Sequence, residues 1–145
     1  GSIDANVPYD HVVAGDKRTY ADMLTPAGLK EIKSFADGIG PWKPYLISWQ
    51  AMVDPKTGKA ADVDGDKVVD QRDMTLVEPS DVVKNAHKLG LLVHPYTFRN
   101  ESKHLAANFQ DSPLEEYRAY FELGVDGVFT DYTDTALAAR RLLQK

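Results

Sequence analysis

The chemistry most visible in this sequence is a cluster of aspartates at regular spacing. Carboxylates occupy positions 1, 3, 5, 9 and 12 of the twelve residues 62–73, and position 7 offers a backbone carbonyl. Calcium takes about six to eight oxygen ligands, and alternate residues of a tight turn can all face one ion. The spacing therefore predicts a calcium site. Its predicted ligands are Asp62, Asp64, Asp66, the carbonyl of Val68, Asp70 and Asp73.

The acidic loop resembles the calcium loops of dockerin modules and EF-hands, with Asp73 in place of glutamate at the closing position. Lys67 departs from that pattern, because the sixth position of the template is glycine. A side chain in the left-handed conformation costs on the order of 1 kcal/mol there. The alternative interpretation is a solvated acidic loop without an ion. If an ion binds, we expect a structural role, since a filled coordination shell leaves no open position for a substrate.

Composition excludes several other classes of chemistry. The chain has 145 residues and no cysteine, which excludes thiol catalysis, thiolate metal sites and disulfides. There are 17 basic and 22 acidic residues, a net charge of −5, whereas a surface that binds nucleic acid needs clustered Lys and Arg. No apolar run approaches the ~18 residues of a membrane-spanning helix. We therefore expect no nucleic-acid partner and no membrane span.

The helices that must position these residues begin at recognisable signals. Each predicted helix opens on a hydroxyl, an aspartate or a proline suited to the first turn. The predicted starts are Thr25 with Pro26, Pro79 with Ser80, the capping box of Ser112 and Glu115, and Asp134 ahead of residues 135–143. Residues 3–24 show no period and are expected to be irregular, and the type of residues 41–53 is left open.

Short apolar runs alternate with these helices. The predicted strands lie near residues 38–40, 91–97 and 125–130. The run at 91–93 is continuous, which is typical of a strand covered on both faces. Strands that alternate with helices indicate a parallel sheet built from βα units, so the predicted fold class is α/β.

Three segments in series carry a resemblance to a known family. They are residues 20–41, which end in FADGIGP, residues 91–99, LLVHPYTFR, and residues 123–132, LGVDGVFTDY. In this order and spacing they resemble the C-terminal part of the glycerophosphodiester phosphodiesterases, most closely the longer bacterial type. Because that type is often exported, the resemblance implies a periplasmic or secreted protein.

The resemblance implies that the chain is the C-terminal portion, about the last three βα units, of a TIM (β/α)8 barrel. A complete barrel needs about 250 residues, more than the 145 present. We therefore expect a partial barrel domain over residues 3–145, with an EF-hand-like calcium loop as an insert at 54–73. Gly1 and Ser2 are interpreted as a remnant of cloning.

Family enzymes hydrolyse glycerophosphodiesters to an alcohol and glycerol 3-phosphate, with two histidines and a divalent cation, calcium or magnesium, held by carboxylates. In the family those residues precede the matched segments. The resemblance therefore implies a phosphoric diester hydrolase whose catalytic residues and catalytic metal ligands lie outside this chain, so that the isolated chain is inactive. We expect His94 to be buried and hydrogen-bonded rather than catalytic.

The part of the site implied for this chain is the wall of a substrate pocket, since active sites of such barrels lie at the carboxyl ends of the strands. The resemblance implies that Tyr96 and Phe129 pack against the small-molecule glycerophosphodiester and that Arg99 binds its phosphate. The alternatives are core packing for the two aromatic rings and an ion pair with Glu101 for Arg99.

Two other functions remain open from the sequence. One is a non-catalytic calcium-binding α/β module. The other is a half-barrel that assembles with a partner, because an incomplete sheet has unpaired edges that a homo-oligomer would cover.

Overall fold

The computed structural model describes residues 6–143, so the predicted cloning remnant at Gly1 and Ser2 lies outside the described residues. Helices and short strands follow one another along this range. The helices are α1 Tyr9–Ala14, α2 Tyr20–Met23, α3 Pro26–Lys33, α4 Val82–Lys88, α5 Pro113–Leu123 and α6 Thr133–Leu143. The strands are β1 Gly38–Ile39, β2 Trp49–Ala51, β3 Met74–Leu76 and β4 Leu92–Val93. Single turns of 3₁₀ helix lie at Lys43–Tyr45, Gln71–Asp73, Ser102–His104 and Ala107–Phe109.

Helix α3 starts where the sequence predicts. Pro26 is its first residue, and the Thr25 hydroxyl accepts a hydrogen bond from the N–H of Gly28 at 3.2 Å. A Cβ added at Gly28 would lie 2.4 Å from the carbonyl oxygen of Met23 and 2.5 Å from that of Asp22. The missing side chain of Gly28 therefore allows α2 and α3 to meet.

The prediction that residues 3–24 are irregular is wrong for the described part of that segment, which contains α1 and α2. The second of these helices has a reciprocal capping box. The Thr19 hydroxyl accepts from the N–H of Asp22 at 3.2 Å, and the Asp22 carboxylate accepts from the N–H of Thr19 at 2.8 Å. The two helices have six and four residues, fewer than two turns each, so no apolar period can mark them in the sequence.

Helix α5 begins at Pro113, as expected, but its predicted capping box does not form. Ser112 makes no side-chain hydrogen bond to the helix. The carboxylate of Glu115 lies instead 3.8 Å from the guanidinium of Arg118, one turn further along the helix. The proline and the polar residue before it were therefore sufficient to start the helix.

Helices α4 and α6 begin at residues other than those predicted. α4 starts at Val82, and the hydroxyl of Ser80 donates to the carbonyl of Tyr45 at 2.7 Å while accepting from the N–H of Val82 at 3.5 Å. α6 starts at Thr133, so Asp134 lies inside the first turn rather than ahead of it. A carboxylate in that turn interacts favourably with the helix N-terminus.

Strands β1 and β4 form a parallel pair, with Gly38 opposite Leu92 and Ile39 opposite Val93. Beyond the regular strands the pairing continues as a bridge between Trp42 and Tyr96. The predicted strands near 38–40 and 91–97 are thus present in shorter form.

The predicted strand near 125–130 is a less regular extended segment on the other side of β4. The N–H of Asp126 donates to the carbonyl of Val93 at 3.0 Å, and the N–H of Phe129 donates to that of Pro95 at 2.9 Å. Thr130 forms a parallel bridge with Phe98. The three extended segments therefore lie side by side in chain order, with their carboxyl ends at one edge.

The core lies on one face of this sheet. Leu91 and Val93 are 1% and 0% exposed, whereas Leu92 between them is 48% exposed. Buried residues of four helices belong to the same core. They are Leu29 and Ile32 of α3, Val83 and Ala86 of α4, Tyr117 and Tyr120 of α5, and Ala136 and Ala139 of α6. The prediction that residues 91–93 are covered on both faces is wrong, because alternate side chains of a strand point to opposite faces and the helices cover one of them.

Strands β2 and β3 form a separate antiparallel pair, with Trp49 opposite Leu76 and Ala51 opposite Met74. The acidic segment lies between these two strands. The stretch 41–53, whose type the sequence left open, therefore contains a 3₁₀ turn followed by β2. Residues 6–143 as a whole have an α/β arrangement without a closed barrel, and each of their helices is too short or too polar to cross a membrane.

Substitution of Gly28 by alanine tests the contact between α2 and α3. The added Cβ would meet backbone oxygens, which can move only if a helix moves, so we expect the free energy of unfolding to fall by about 1–3 kcal/mol in urea denaturation. Gly40→Ala is the control, since its added Cβ would meet a backbone oxygen and the Phe129 ring only at 3.5 Å. A Gly28→Ala chain as stable as the wild type contradicts this close approach.

Candidate functional site

A cavity of about 520 Å³ lies beside the carboxyl ends of β1 and β4 and is also lined by residues of α2 and α3. Its lining is mostly apolar and includes four aromatic side chains, Tyr20, Trp42, Tyr45 and Tyr96. The ring of Trp42 lies edge-on to that of Tyr45, with centroids 6.4 Å apart. The edge of the sheet at which the sequence predicted a substrate pocket therefore contains an aromatic cavity.

Tyr96 is the predicted site residue that lines this cavity. Tyr96 is 43% exposed in this chain. Its backbone is fixed by the segment that follows β1: its N–H donates to the carbonyl of Pro41 at 3.1 Å, and its carbonyl accepts from the N–H of Lys43 at 2.8 Å. Tyr96 therefore has a backbone held by two hydrogen bonds and an exposed ring at the end of the strand.

Phe129 lies on the same open face of the sheet but outside the cavity lining. Its ring is 56% exposed and comes within 3.5 Å of the position that a Cβ on Gly40 would occupy. It also meets the His94 ring edge-on, at 6.3 Å between centroids. The expectation that His94 is buried and hydrogen-bonded is wrong, because this half-buried ring lies on the open face and forms no side-chain hydrogen bond with a described residue.

Arg99 lies at the strand end, as predicted, and is paired with carboxylates. Its Nη2 is 2.9 Å from Oε1 of Glu101, and its Nε is 3.7 Å from Oδ2 of Asp131. The hydrogen bond that Arg99 donates to Glu101 raises the pKa of Arg99, and the same bond lowers the pKa of Glu101 to about 2. The ion pair that the sequence left as an alternative is formed, and an anion that binds Arg99 must compete with Glu101.

The acidic insert brings three of its predicted ligands together. Carboxylate oxygens of Asp62, Asp64 and Asp66 lie within 4.8 Å of one another. The Asp62 carboxylate accepts hydrogen bonds from the N–H groups of Gly65, at 2.7 Å, and Lys67, at 2.9 Å. Lys67 has a φ of 70°, the left-handed conformation that the sixth position of a calcium loop requires. Lys67 therefore adopts a left-handed conformation although it carries a side chain.

Arg72 is a participant that sequence analysis missed. Its guanidinium pairs with Asp64 at 3.0 Å, with Asp70 at 2.6 Å and, closer still, with Asp66. The hydrogen bond from Arg72 lowers the pKa of Asp70. The only available signal was a single arginine inside an acidic run. This guanidinium supplies positive charge to the carboxylates that were predicted to hold an ion.

Asp73, the predicted ligand that closes the loop, bonds to backbone groups and is not one of these three clustered carboxylates. Asp73 is fully buried, and its carboxylate accepts from the N–H of Val63 at 2.6 Å and from that of Asp70 at 3.0 Å. These two bonds, with Val63 the stronger influence, lower the pKa of Asp73. Val68 has a 56% exposed side chain and its N–H bonds to Asp66. Asp73 therefore ties the two ends of the loop together through backbone groups.

The lowered pKa of Asp73 predicts acid sensitivity. A carboxyl whose pKa is lower in the folded than in the unfolded chain stabilises the fold above its unfolded pKa, near 4, and this contribution is lost as the pH falls through the folded pKa. We expect Asp73→Asn to lower the melting temperature at pH 7, and the difference from wild type to shrink as the pH falls through the folded pKa of Asp73. Asp37→Asn, at a side chain 97% exposed, is the control. A difference between Asp73→Asn and wild type that is independent of pH contradicts the prediction.

The sequence of this chain is similar to a known protein family and to individual members of that family. Residues 6–135 match the model of the Glycerophosphoryl diester phosphodiesterase family. The chain is 37% identical over 117 residues to glycerophosphodiester phosphodiesterase GDPD6 of Arabidopsis thaliana, covering 80% of this chain and 26% of that protein. It is 28% identical over 118 residues to the glycerophosphodiester phosphodiesterase of Haemophilus influenzae, covering 81% and 26%. The chain thus spans about a quarter of the length of these relatives. On the extent of the family match, the chain belongs to the glycerophosphoryl diester phosphodiesterase family, whose fold is of the TIM-barrel type.

Proposed function

We propose that this chain is the C-terminal part of a phosphodiesterase that hydrolyses glycerophosphodiesters to an alcohol and glycerol 3-phosphate. The observation that carries the proposal is the family match over residues 6–135. Within the enzyme, the chain supplies one wall of the substrate pocket. Tyr96 and Phe129 contact the organic part of the substrate, and Arg99 binds the phosphate after releasing Glu101.

We propose further that the chain forms the last three βα units of a (β/α)8 barrel. In such a barrel neighbouring strands follow in chain order and the helices form an outer layer. The order of β1, β4 and the segment 125–130 is consistent with this arrangement, as is the placement of α3 to α6 on one face. The exposed side chains Leu92, Tyr96 and Phe129 then form the inner wall. A homo-oligomer that covers the same edges is the alternative.

The acid–base residues and the catalytic cation of the family belong, in this proposal, to the rest of the enzyme. Among the described histidines, His87 lies 2.9 Å from Asp126, and the ring of His94 contacts Phe129. The acidic group that could hold a cation in residues 6–143, Asp62 with Asp64 and Asp66, lies on the insert rather than at the strand ends. These residues do not fit a catalytic metal at the cavity, and we propose that the isolated chain is inactive.

Titration with glycerol 3-phosphate tests the role of Arg99. We expect saturable NMR shifts at the Arg99 side chain and the Tyr96 ring, and about tenfold weaker binding or more for Arg99→Met, since a hydrogen bond to a charged group contributes about 1.5–3 kcal/mol. Glu101→Gln removes the competing carboxylate and should strengthen binding of glycerol 3-phosphate.

We expect the isolated chain not to hydrolyse glycerophosphocholine in the presence of calcium or magnesium.

Arg118→Met is the matched control, because Arg118 is an exposed arginine paired with Glu122 at 2.8 Å on α5. Equal losses of binding in Arg99→Met and Arg118→Met contradict the phosphate-binding role. Turnover by the isolated chain that Arg99→Ala abolishes contradicts the assignment of catalysis to the rest of the enzyme.

We also propose that the insert binds one structural calcium ion. The clustered oxygens of Asp62, Asp64 and Asp66 support this proposal, and so does the left-handed conformation of Lys67. Calcium at this position must displace the guanidinium of Arg72, which lies among the same carboxylates. The ion and the arginine therefore compete, and occupancy depends on the calcium concentration of the compartment, for which we propose the periplasm or the exterior.

Two substitutions should change calcium binding in opposite directions. Asp62→Asn removes a charged ligand that does not pair with Arg72, so it should abolish the rise in melting temperature caused by millimolar calcium. Arg72→Gln removes the competing cation and should increase the affinity measured by calorimetry. Asp54→Asn, in the adjacent turn, is the control and should respond as wild type. A wild-type melting curve that calcium leaves unchanged would sink the proposal.

A further inference from the structure

A buried ion pair lies beneath the aromatic strand ends. Lys43 and Glu116 are 4% and 2% exposed, and Nζ of Lys43 is 2.6 Å from Oε1 of Glu116. We propose that this pair is a positioning element that fixes the segment 41–47 and thereby holds Trp42 and Tyr45 in the wall of the cavity. The inference concerns the wall itself and does not depend on which substrate the cavity accepts.

Stability alone does not account for the pair. Removing two charges from water costs as much as their attraction returns, and apolar residues of similar volume often give an equally stable core. Burial raises the pKa of Glu116 even though Lys43 opposes the shift. The second oxygen of Glu116, Oε2, has no hydrogen-bond partner among the described residues. Burying the pair therefore costs free energy that its own contacts do not fully return. The pair differs from two apolar side chains in that its contacts are directional.

The side chain of Lys43 is held in that direction by two groups. Besides its bond to Glu116, Nζ lies 5.3 Å from the centroid of the Phe98 ring, within the range of a cation–π interaction. The Phe98 ring is itself stacked on Tyr117 at 4.9 Å and meets Tyr120 edge-on at 5.0 Å. A methionine or leucine at position 43 would fill the space without either directional contact.

The backbone of Lys43 connects the same elements. Its N–H donates to the carbonyl of Tyr96 at 2.8 Å, and its carbonyl accepts from the hydroxyl of Tyr120 at 3.1 Å. Trp42 precedes it directly, and the N–H of Tyr45 donates to the carbonyl of Trp42 at 2.9 Å. Fixing Lys43 therefore fixes both rings of the wall relative to the strand end and to α5.

Two variants separate positioning from stability. Lys43→Met/Glu116→Leu keeps the volume and removes the directional contacts. We expect its melting temperature to stay within about 5 °C of wild type, its near-ultraviolet circular dichroism from Trp42 to fall by about half, and amide exchange in residues 42–47 to accelerate about tenfold. Glu116→Gln keeps an acceptor for Nζ without the counter-charge. It should melt at a lower temperature and retain the wild-type aromatic spectrum.

Trp42→Phe identifies the contribution of that ring to the spectrum. Arg118→Met/Glu122→Leu removes an exposed ion pair from the same helix and should change none of the three measurements. A double variant of Lys43 and Glu116 with the wild-type spectrum and exchange rates overturns the proposal. A double variant that does not fold also overturns it, because the pair would then be required for stability.

Discussion

Strand β4 is bonded along both of its edges, and the positions of the other elements depend on this pairing. On one side, the N–H of Leu92 donates to the carbonyl of Asp37 and that of His94 to Ile39, each at 2.9 Å. On the other side, the segment 125–130 donates to β4. Since side chains of β4 alternate between the faces, one register decides both which residues enter the core and which strand ends lie beside the cavity. The backbone pairing of β4 therefore also sets the position of the aromatic side chains that follow the strands.

The electrostatics of the chain divide into two regions with different solvation. In the insert, Arg72 and its carboxylates remain partly exposed, so each contact is weak alone and a cation of higher charge can replace the guanidinium. Beneath the cavity, Lys43 and Glu116 are removed from water, and neither can lose its partner without leaving a buried charge. The first arrangement is exchangeable and the second is fixed.

Features set by neighbouring residues could be predicted from the sequence, and features set by distant ones could not. The start of α3 follows from Thr25 and Pro26, and the grouping of Asp62, Asp64 and Asp66 follows from their spacing. The short helices α1 and α2 were missed because they are too brief to show a period. The exposure of Leu92 depends on how much of the sheet is covered, which a continuous apolar run does not reveal. The pairing of Lys43 with Glu116 joins residues 73 positions apart, and neither residue type indicates burial.

The hairpin of β2 and β3 has a consequence for how this region varies. The chain leaves the sheet at Ala51 and returns at Met74, and these two residues are paired directly opposite each other, at Cα separations of about 4.5–5.5 Å in such ladders. A loop whose ends are already joined can be lengthened, shortened or exchanged without moving the residues outside it. The tip of the insert can therefore change while the aromatic strand ends stay where they are, whereas its last turn, Gln71–Asp73, packs against Ser102–His104 and Ala107–Phe109.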